Sequence, residues 1–320
     1  MKFIKYTLFL MVAALVALTG CQEQYVTYDD AEYVMFSDTL SIVPVENGKT
    51  VSVPVVSTMK CDHDRTFGVE ILDDKSNAIE NLHYRLKSNT ITISAGEVRA
   101  DVQVEGIFDS MEPEDSLCFT MKLLMNQNLV MTPGSDQIRV QLQKVYPFDL
   151  KDFEGWWVFT SMFHREFNQA YQRLVYSEIV EGEENTIRCK NMFNDGYDVK
   201  LSFDNSNVLN PLVSMPGEQI ISDEATFFGQ TKGDNHIRAV HSPLAPSNFF
   251  TAGDSRPYLA LWSQIYVKNL GQMVGTVGHY YSIMERIYYK EAKRLSREDG
   301  MPGFNSQWGK PEDELQKVSE

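Results

Sequence analysis

Basic residues are scarce in this chain of 320 residues: 29 lysines and arginines stand against 44 aspartates and glutamates, a formal net charge of −15. A surface of that sign repels nucleic acid and anionic lipid headgroups, which argues against any polyanion as partner. Cysteine is scarcer still, with 4 in all, and no C-x-x-C pair occurs. Only Cys61 and His63 fall close together, so no metal-ligand spacing is present and no metal site is expected. The sequence also lacks a phosphate-cradling G-x-x-x-x-G-K-[ST] loop, an H-E-x-x-H pair and a G-x-S-x-G elbow. Its 6 histidines are scattered; His236 and His241 share a stretch with Asp234, but at a spacing that fits no regular element and reads as an exposed pair. Acid pairs such as Asp73-Asp74 and Glu183-Glu184 lie beside turn residues, where solvation accounts for them. No enzymatic activity and no cofactor are expected. Long apolar runs are missing too: the longest, from about Leu8 to Leu18, falls short of the roughly 20 residues that span a bilayer.

That short run does have a meaning. Lys2 and Lys5 precede it, and it ends abruptly at Leu18-Thr19-Gly20-Cys21, after which the chain turns polar. A charged start, a short apolar core and small residues before a cleavage point make an export signal over residues 1–20. The placement of Cys21 resembles the lipobox of bacterial lipoproteins. That resemblance implies a thioether-linked lipid on Cys21, attachment to the outer membrane on its periplasmic or cell-surface side, and no spanning segment. Each buried methylene of such an anchor contributes about 0.8 kcal/mol, so several acyl chains hold firmly. Loss of the signal removes two lysines and no acid, which makes the mature chain more acidic still. Cys61, Cys118 and Cys189 then remain, an odd number, read as buried thiols with one possible disulfide between Cys61 and Cys118.

Beyond an acidic tether at residues 21–30, the chain reads as all-β. "TVSVPVVST" alternates Val51, Val53 and Val55 with their neighbours at the period of a half-buried strand, and five further short runs up to residue 145 repeat the theme between turn residues. Such spacing predicts a β-sandwich over residues 31–145. Within it, His83-Tyr84 precedes the turn Ala95-Gly96-Glu97. That order resembles the calcium-exchanger-β type of immunoglobulin-like module, and Tyr84 is expected to bury its ring and keep a wet hydroxyl. Asp62, Asp64, Asp73 and Asp74 are available to a cation, but without a defined loop spacing they read as solvated turns.

Pro147 marks a boundary, because it has no N–H to continue a ladder. Residues 146–290 hold longer, aromatic-rich strands, beginning with Gly155 and Trp157 in "FEGWW". A G-x-W on a first strand with a late arginine, here Arg286, resembles the lipocalin-like barrel and implies a partly open β-barrel with Trp157 at one end. The segment "HSPLAPSNFFTAGDSRP" reads as a long surface loop or lid, and residues 291–320 as a polar, mostly flexible tail. Aromatics make up 12% of the chain and crowd near that loop. Sugar rings present apolar C–H faces that stack on aromatic planes, so Phe249, Phe250, Asp254, Arg256, Tyr258 and Trp262 are the candidate ligand contacts.

Taken whole, the chain resembles two-domain lipoproteins of Bacteroidetes-type bacteria found beside outer-membrane glycan-uptake systems. The resemblance implies a glycan-binding protein that supports polysaccharide uptake, with outer-membrane uptake proteins as further partners. The alternative is a non-catalytic structural or assembly lipoprotein that binds partner proteins and no sugar. Replacing Cys21 with serine is expected to abolish metabolic labelling by a fatty-acid probe and to release the chain from membranes washed with carbonate and salt; retention of the unlabelled variant would refute the anchor.

Overall fold

The computed structural model describes residues 32–112, 115–124, 134–167, 171–227, 230–252, 255–269 and 272–309. Cys21, the signal, the tether and Asp254 lie outside the described residues.

Nine strands make the N-terminal sandwich: β1 Val34–Phe36, β2 Leu40–Val45, β3 Thr50–Ser57, β4 Arg65–Ile71, β5 Tyr84–Leu86, β6 Thr90–Ile93, β7 Arg99–Gly106, β8 Leu117–Leu124 and β9 Gln137–Lys144. One sheet runs β1-β3-β7-β5 and the other β2-β9-β8-β4-β6. Only the β2–β9 pair is parallel among the strand pairs of these two sheets. The period-2 pattern does what it predicts: Val53, Val55, Val102 and Val104 turn inward against Phe67, Phe119 and Val140. Tyr84 is fully buried and stacks on Phe119 at 3.7 Å between ring centroids. Its hydroxyl is not wet, as expected from sequence, but buried with no hydrogen-bond partner among the described residues. Burial therefore pushes the phenol pKa up. Cys61 and Cys118 are free thiols rather than a disulfide, with Cys118 buried on β8 and Cys61 half-buried beside the turn at Gly96.

The second half contains β10 Gly155–Ser161, a short helix α1 Met162–Phe167, β11 Gln172–Ile179, β12 Thr186–Lys190, β13 Val199–Asp204, β14 Leu212–Ser214, β15 Gln219–Ser222, β16 Thr226–Phe227, β17 Gln230–Thr231, β18 Ile237–His241, β19 Asn248–Ala252, β20 Ser255–Asn269, β21 Gln272–Ile287 and helix α2 Tyr289–Glu298. The barrel is closed, not partly open. β21 pairs with β20 on one side and β10 on the other, and β14 meets β19, so eight strands form a ring. The long β20 outruns one neighbour: β19 pairs with its first part and β18 with its second. β18 carries β15, and the Gln219 side chain then bridges β15 to β13. Its amide donates to the Lys200 carbonyl at 2.9 Å and accepts from the Lys200 N–H at 2.7 Å, standing in for a peptide group in the ladder.

Side chains fill the barrel. Trp157, Phe159, Val175, Ile187, Leu201, Leu259, Ile265 and Met284 pack inward, and Phe148, Phe153, Phe203 and Phe249 close one end with ring centroids 4.7 to 5.7 Å apart. The expected G-x-W constellation is present at that closure. Trp157 pairs with Arg286 across β10 and β21, and its indole donates to Ser177 Oγ at 2.7 Å. The Arg286 guanidinium lies over Gly155 and donates to the carbonyls of Glu154 (2.7 Å), Trp156 (3.0 Å) and Ile287. A Cβ on Gly155, at φ +123°, would sit 2.1 Å from Arg286 Nη2.

Residues 291–309 are not the polar, flexible tail that their composition suggests. α2 and the chain after it lie on the outward side of β10 and β11, where Trp156, Val158 and Leu174 meet Tyr289, Ala292, Leu295, Met301, Phe304 and Trp308. The docking is bonded as well as apolar: Pro302 O accepts from Leu174 N–H at 2.8 Å, and Trp308 O from the Trp156 indole at 3.2 Å. Six apolar side chains spread through α2 and the charged sequence after it suffice, because β10 and β11 supply the rest of the cluster.

His164 on α1 is 2% exposed, packed edge-on to Phe159 and Phe193. Its Nε2–H donates to Phe193 O at 2.8 Å, a carbonyl that also accepts from Arg173. Burial holds the imidazole neutral, down to about 4 from 6.5. The unfolded chain binds that proton first, so stability is full above pH 6.5 and declines as pH falls toward 4. Compared with His164→Gln, the native chain is expected to lose roughly 2–3 kcal/mol more between those limits, measured by urea unfolding across pH; parallel pH profiles would refute it.

Candidate functional site

The hairpin of β20 and β21 sets the geometry. Successive side chains of a strand alternate between faces, so Leu259, Leu261 and Ile265 enter the core while Tyr258, Ala260, Trp262 and Gln264 point outward. The register places Glu285, Ile283, Tyr281 and His279 of β21 opposite those four in turn. On the other side β19 sets Phe250 opposite Tyr258 and Asn248 opposite Ala260. A single outward face results, with strands behind it and solvent in front.

Aromatic rings dominate both ends of this face. Phe250 and Tyr258 stack at 4.4 Å with 15° between planes, yet remain 38% and 41% exposed. Beside them a cleft of about 820 Å³ opens between the strands and α2, lined by Gln172, Arg256, Tyr258, Glu285, Arg286 and Glu291. Arg256 pairs with Glu291 and lies 4.4 Å from the ring centroid of Tyr288. At the other end Trp262 and Tyr281 meet at 5.3 Å and 49°. They line a second hollow of about 530 Å³ with Met162, Arg165, Glu166 and His279. His279 Nδ1 lies 2.9 Å from Ser242 Oγ. The buried phenol of Tyr280 is held above its ordinary pKa, first by burial and then by its hydrogen bond to Glu166.

Four of the six candidate contacts come together here. Phe250, Tyr258 and Arg256 flank one cleft, and Trp262 stands farther along the same strand. Phe249 does not belong: it is 1% exposed and packs against Phe148, Phe153 and Phe203. The expected loop at "SNFFTAG" is strand β19, so neighbouring phenylalanines face opposite ways. Ile283, Glu285 and Tyr288 escaped the sequence reading, and Tyr281, one of the aromatics near the loop, was not among the candidate contacts. Taking every second residue of "SRPYLALWSQIYVKN" outward, and its hairpin partner with it, was the available signal.

The other candidates dissolve into structure. The carboxylate of Asp234 grips Arg238 at 2.6 and 3.0 Å and drops to about 2, chiefly through that hydrogen bond. His236 meets the Asp234 backbone and carboxylate and accepts from Arg238 at its own carbonyl, and His241 lies 3.4 Å from Ser247. Asp64 Oδ1 accepts from the Ala95 N–H, and Asp62 pairs with His63. No three His, Cys, Asp or Glu side chains converge on a point among the described residues.

Sequence comparison matches residues 134–298 to the family described as "Domain of unknown function (DUF4984)". No curated protein matches the chain in sequence. Among solved structures, the apo form of the Calx CBD1 domain is 15% identical over 36% of this chain and 98% of its own, with a TM-score of 0.31. A protein of unknown function from Bacteroides ovatus is 12% identical over 83% of this chain and 92% of its own, at 0.31. An auxiliary nutrient binding protein from Bacteroides thetaiotaomicron is 13% identical over 82% and 93%, at 0.29.

The two phenylalanines separate core from surface. Phe249→Ala is expected to cost about 3–5 kcal/mol by urea unfolding, whereas Phe250→Ala is expected to leave the midpoint within about 1 kcal/mol. Equal losses would remove Phe250 from the exposed face.

Proposed function

We propose that this chain, which belongs to the DUF4984 family, is a lipid-anchored cell-envelope protein that binds glycan on the outward face of β19–β21. The carrying observation is the Phe250–Tyr258 stack, parallel and open to solvent at the mouth of a cleft with both apolar and polar lining. Aromatic side chains of that size are expensive to leave in water, and a packed barrel offers them no place inside. The faces of pyranose rings are flat and apolar on C–H and polar at the edge. Such a ring stacks on Tyr258 or Phe250 while Gln172 and Glu285 lie within the same cleft for its hydroxyls. A solid interior also directs binding outward, since Trp157, Phe159 and Met284 occupy the space a lipocalin-like barrel would use for a ligand. Cys21, through its lipid, holds the face at a membrane surface.

Affinity electrophoresis of residues 22–320 through gels carrying single polysaccharides tests this. At least one polysaccharide is expected to retard the chain, and Tyr258→Ala to weaken the retardation several-fold with melting temperature nearly unchanged. If no polysaccharide retards it, the face serves a protein partner instead.

A further inference from the structure

The outward face has two aromatic platforms on one strand, and their spacing carries information about the ligand. Tyr258 and Trp262 share a side of β20 four residues apart, which places them roughly 13 Å apart along the strand. Each is half of a pair, Phe250 with Tyr258 and Trp262 with Tyr281. The outward residue between them is Ala260, the smallest side chain on that side of the strand, flanked by half-buried Ile283 and Asn248. Asn248 is turned away into hydrogen bonds with Asn210 and the Pro211 carbonyl. A low saddle therefore joins the platforms. One sugar ring is too short to touch both.

The charges at the two ends are balanced. Arg256 and Arg286 stand with Glu285 and Glu291 in the larger cleft, and Arg165 stands with Glu166 in the smaller. Each end is lined by as many acids as arginines, so neither presents a net positive charge to a uronate or sulfate, and the chain as a whole carries −15. Neutral hydroxyls meet acceptors and donors of both kinds without leaving a charge unpaired.

Building on the glycan reading above, we propose that the face binds an uncharged polysaccharide internally, laid along β20 across both platforms with Ala260 beneath it. The tests use residues 22–320 in gels of starch, xylan or galactomannan as neutral probes, and of polygalacturonate or chondroitin sulfate as anionic ones. Retardation is expected from a neutral polymer and not from the anionic pair. Oligosaccharides cut from the retarding polymer are then titrated in order of length. Affinity is expected to rise about tenfold or more between the disaccharide and the length that spans both platforms, then level off. Ala260→Trp, which raises the saddle, is expected to abolish that rise while disaccharide binding and melting temperature persist. Tyr258→Ala and Trp262→Ala should each lower affinity for the long oligomers. A disaccharide that binds as tightly as the longest oligomer overturns the two-platform track but leaves glycan binding standing. Stronger retardation by polygalacturonate or chondroitin sulfate overturns the neutral class. If none of the five polymers retards the chain, the track falls together with the glycan reading.

Discussion

One guanidinium ties down an end of the seam that closes the barrel. Arg286 lies over Gly155 and satisfies the carbonyls of Glu154 and Trp156, at the edge where the first barrel strand meets the last. Backbone carbonyls at a strand end have lost water without gaining a ladder partner, and each costs about 1–3 kcal/mol if left so. Arg286 meets that need from β21, tying the start of the barrel to its finish across some 130 residues of sequence. The close approach requires a glycine, because any Cβ at residue 155 would overlap the guanidinium. The proposed binding face depends on this joint. β21 can display Tyr281, Ile283 and Glu285 beside β20 only while its other edge is fixed to β10, and α2 begins directly after Ile287.

The same closure decides where a ligand can go. Four phenylalanines, from the inter-domain segment, the first turn, β13 and β19, plug one end of the barrel. Phe249 and Phe250 show how the plug and the exposed face are coupled. They are adjacent in sequence, yet one ring completes the core and the next stacks on Tyr258 in solvent. Strand β19 is therefore anchored by the first residue at the position where the second must be presented. Platforms built on paired strands lose little freedom on binding, unlike side chains on a loop.

Much of this was legible in the sequence, and the failures share a cause. Alternation in "TVSVPVVST" gave the sandwich, and Gly155, Trp157 and Arg286 gave the barrel and its end. Those signals are local or rest on residue types with one use. Closure was not legible, since it depends on β21 pairing with strands at both ends of the half. Pro and Gly around "NFFTA" suggested a loop, but they only bound a strand whose partner lies further along. Residues 291–309 look solvated when counted alone. They are ordered by Trp156 and Leu174, which no window around the tail contains. A buried Tyr84 ring was foreseeable; that its hydroxyl finds no partner among the described residues was not, because its surroundings include Phe119 of the facing sheet.

A shallow face backed by rigid strands sets the scale of its own affinity. Stacking on an exposed ring contributes on the order of 1 kcal/mol beyond area, and an open platform buries less of a sugar than a deep pocket would. Glycan binding at such a face, as proposed, would therefore be weak and quickly reversible. A polysaccharide repeats its unit many times, however, and a lipid on Cys21 would confine many copies of the chain to one surface. Each copy that engages raises the effective concentration for the next, so avidity grows without any new contact within the site. The acidic surface works in the same direction by keeping neighbouring copies apart rather than clustered on one another. On the proposed reading, weak individual contacts would then become useful: a long chain would be held at the membrane while each segment stayed free to move on.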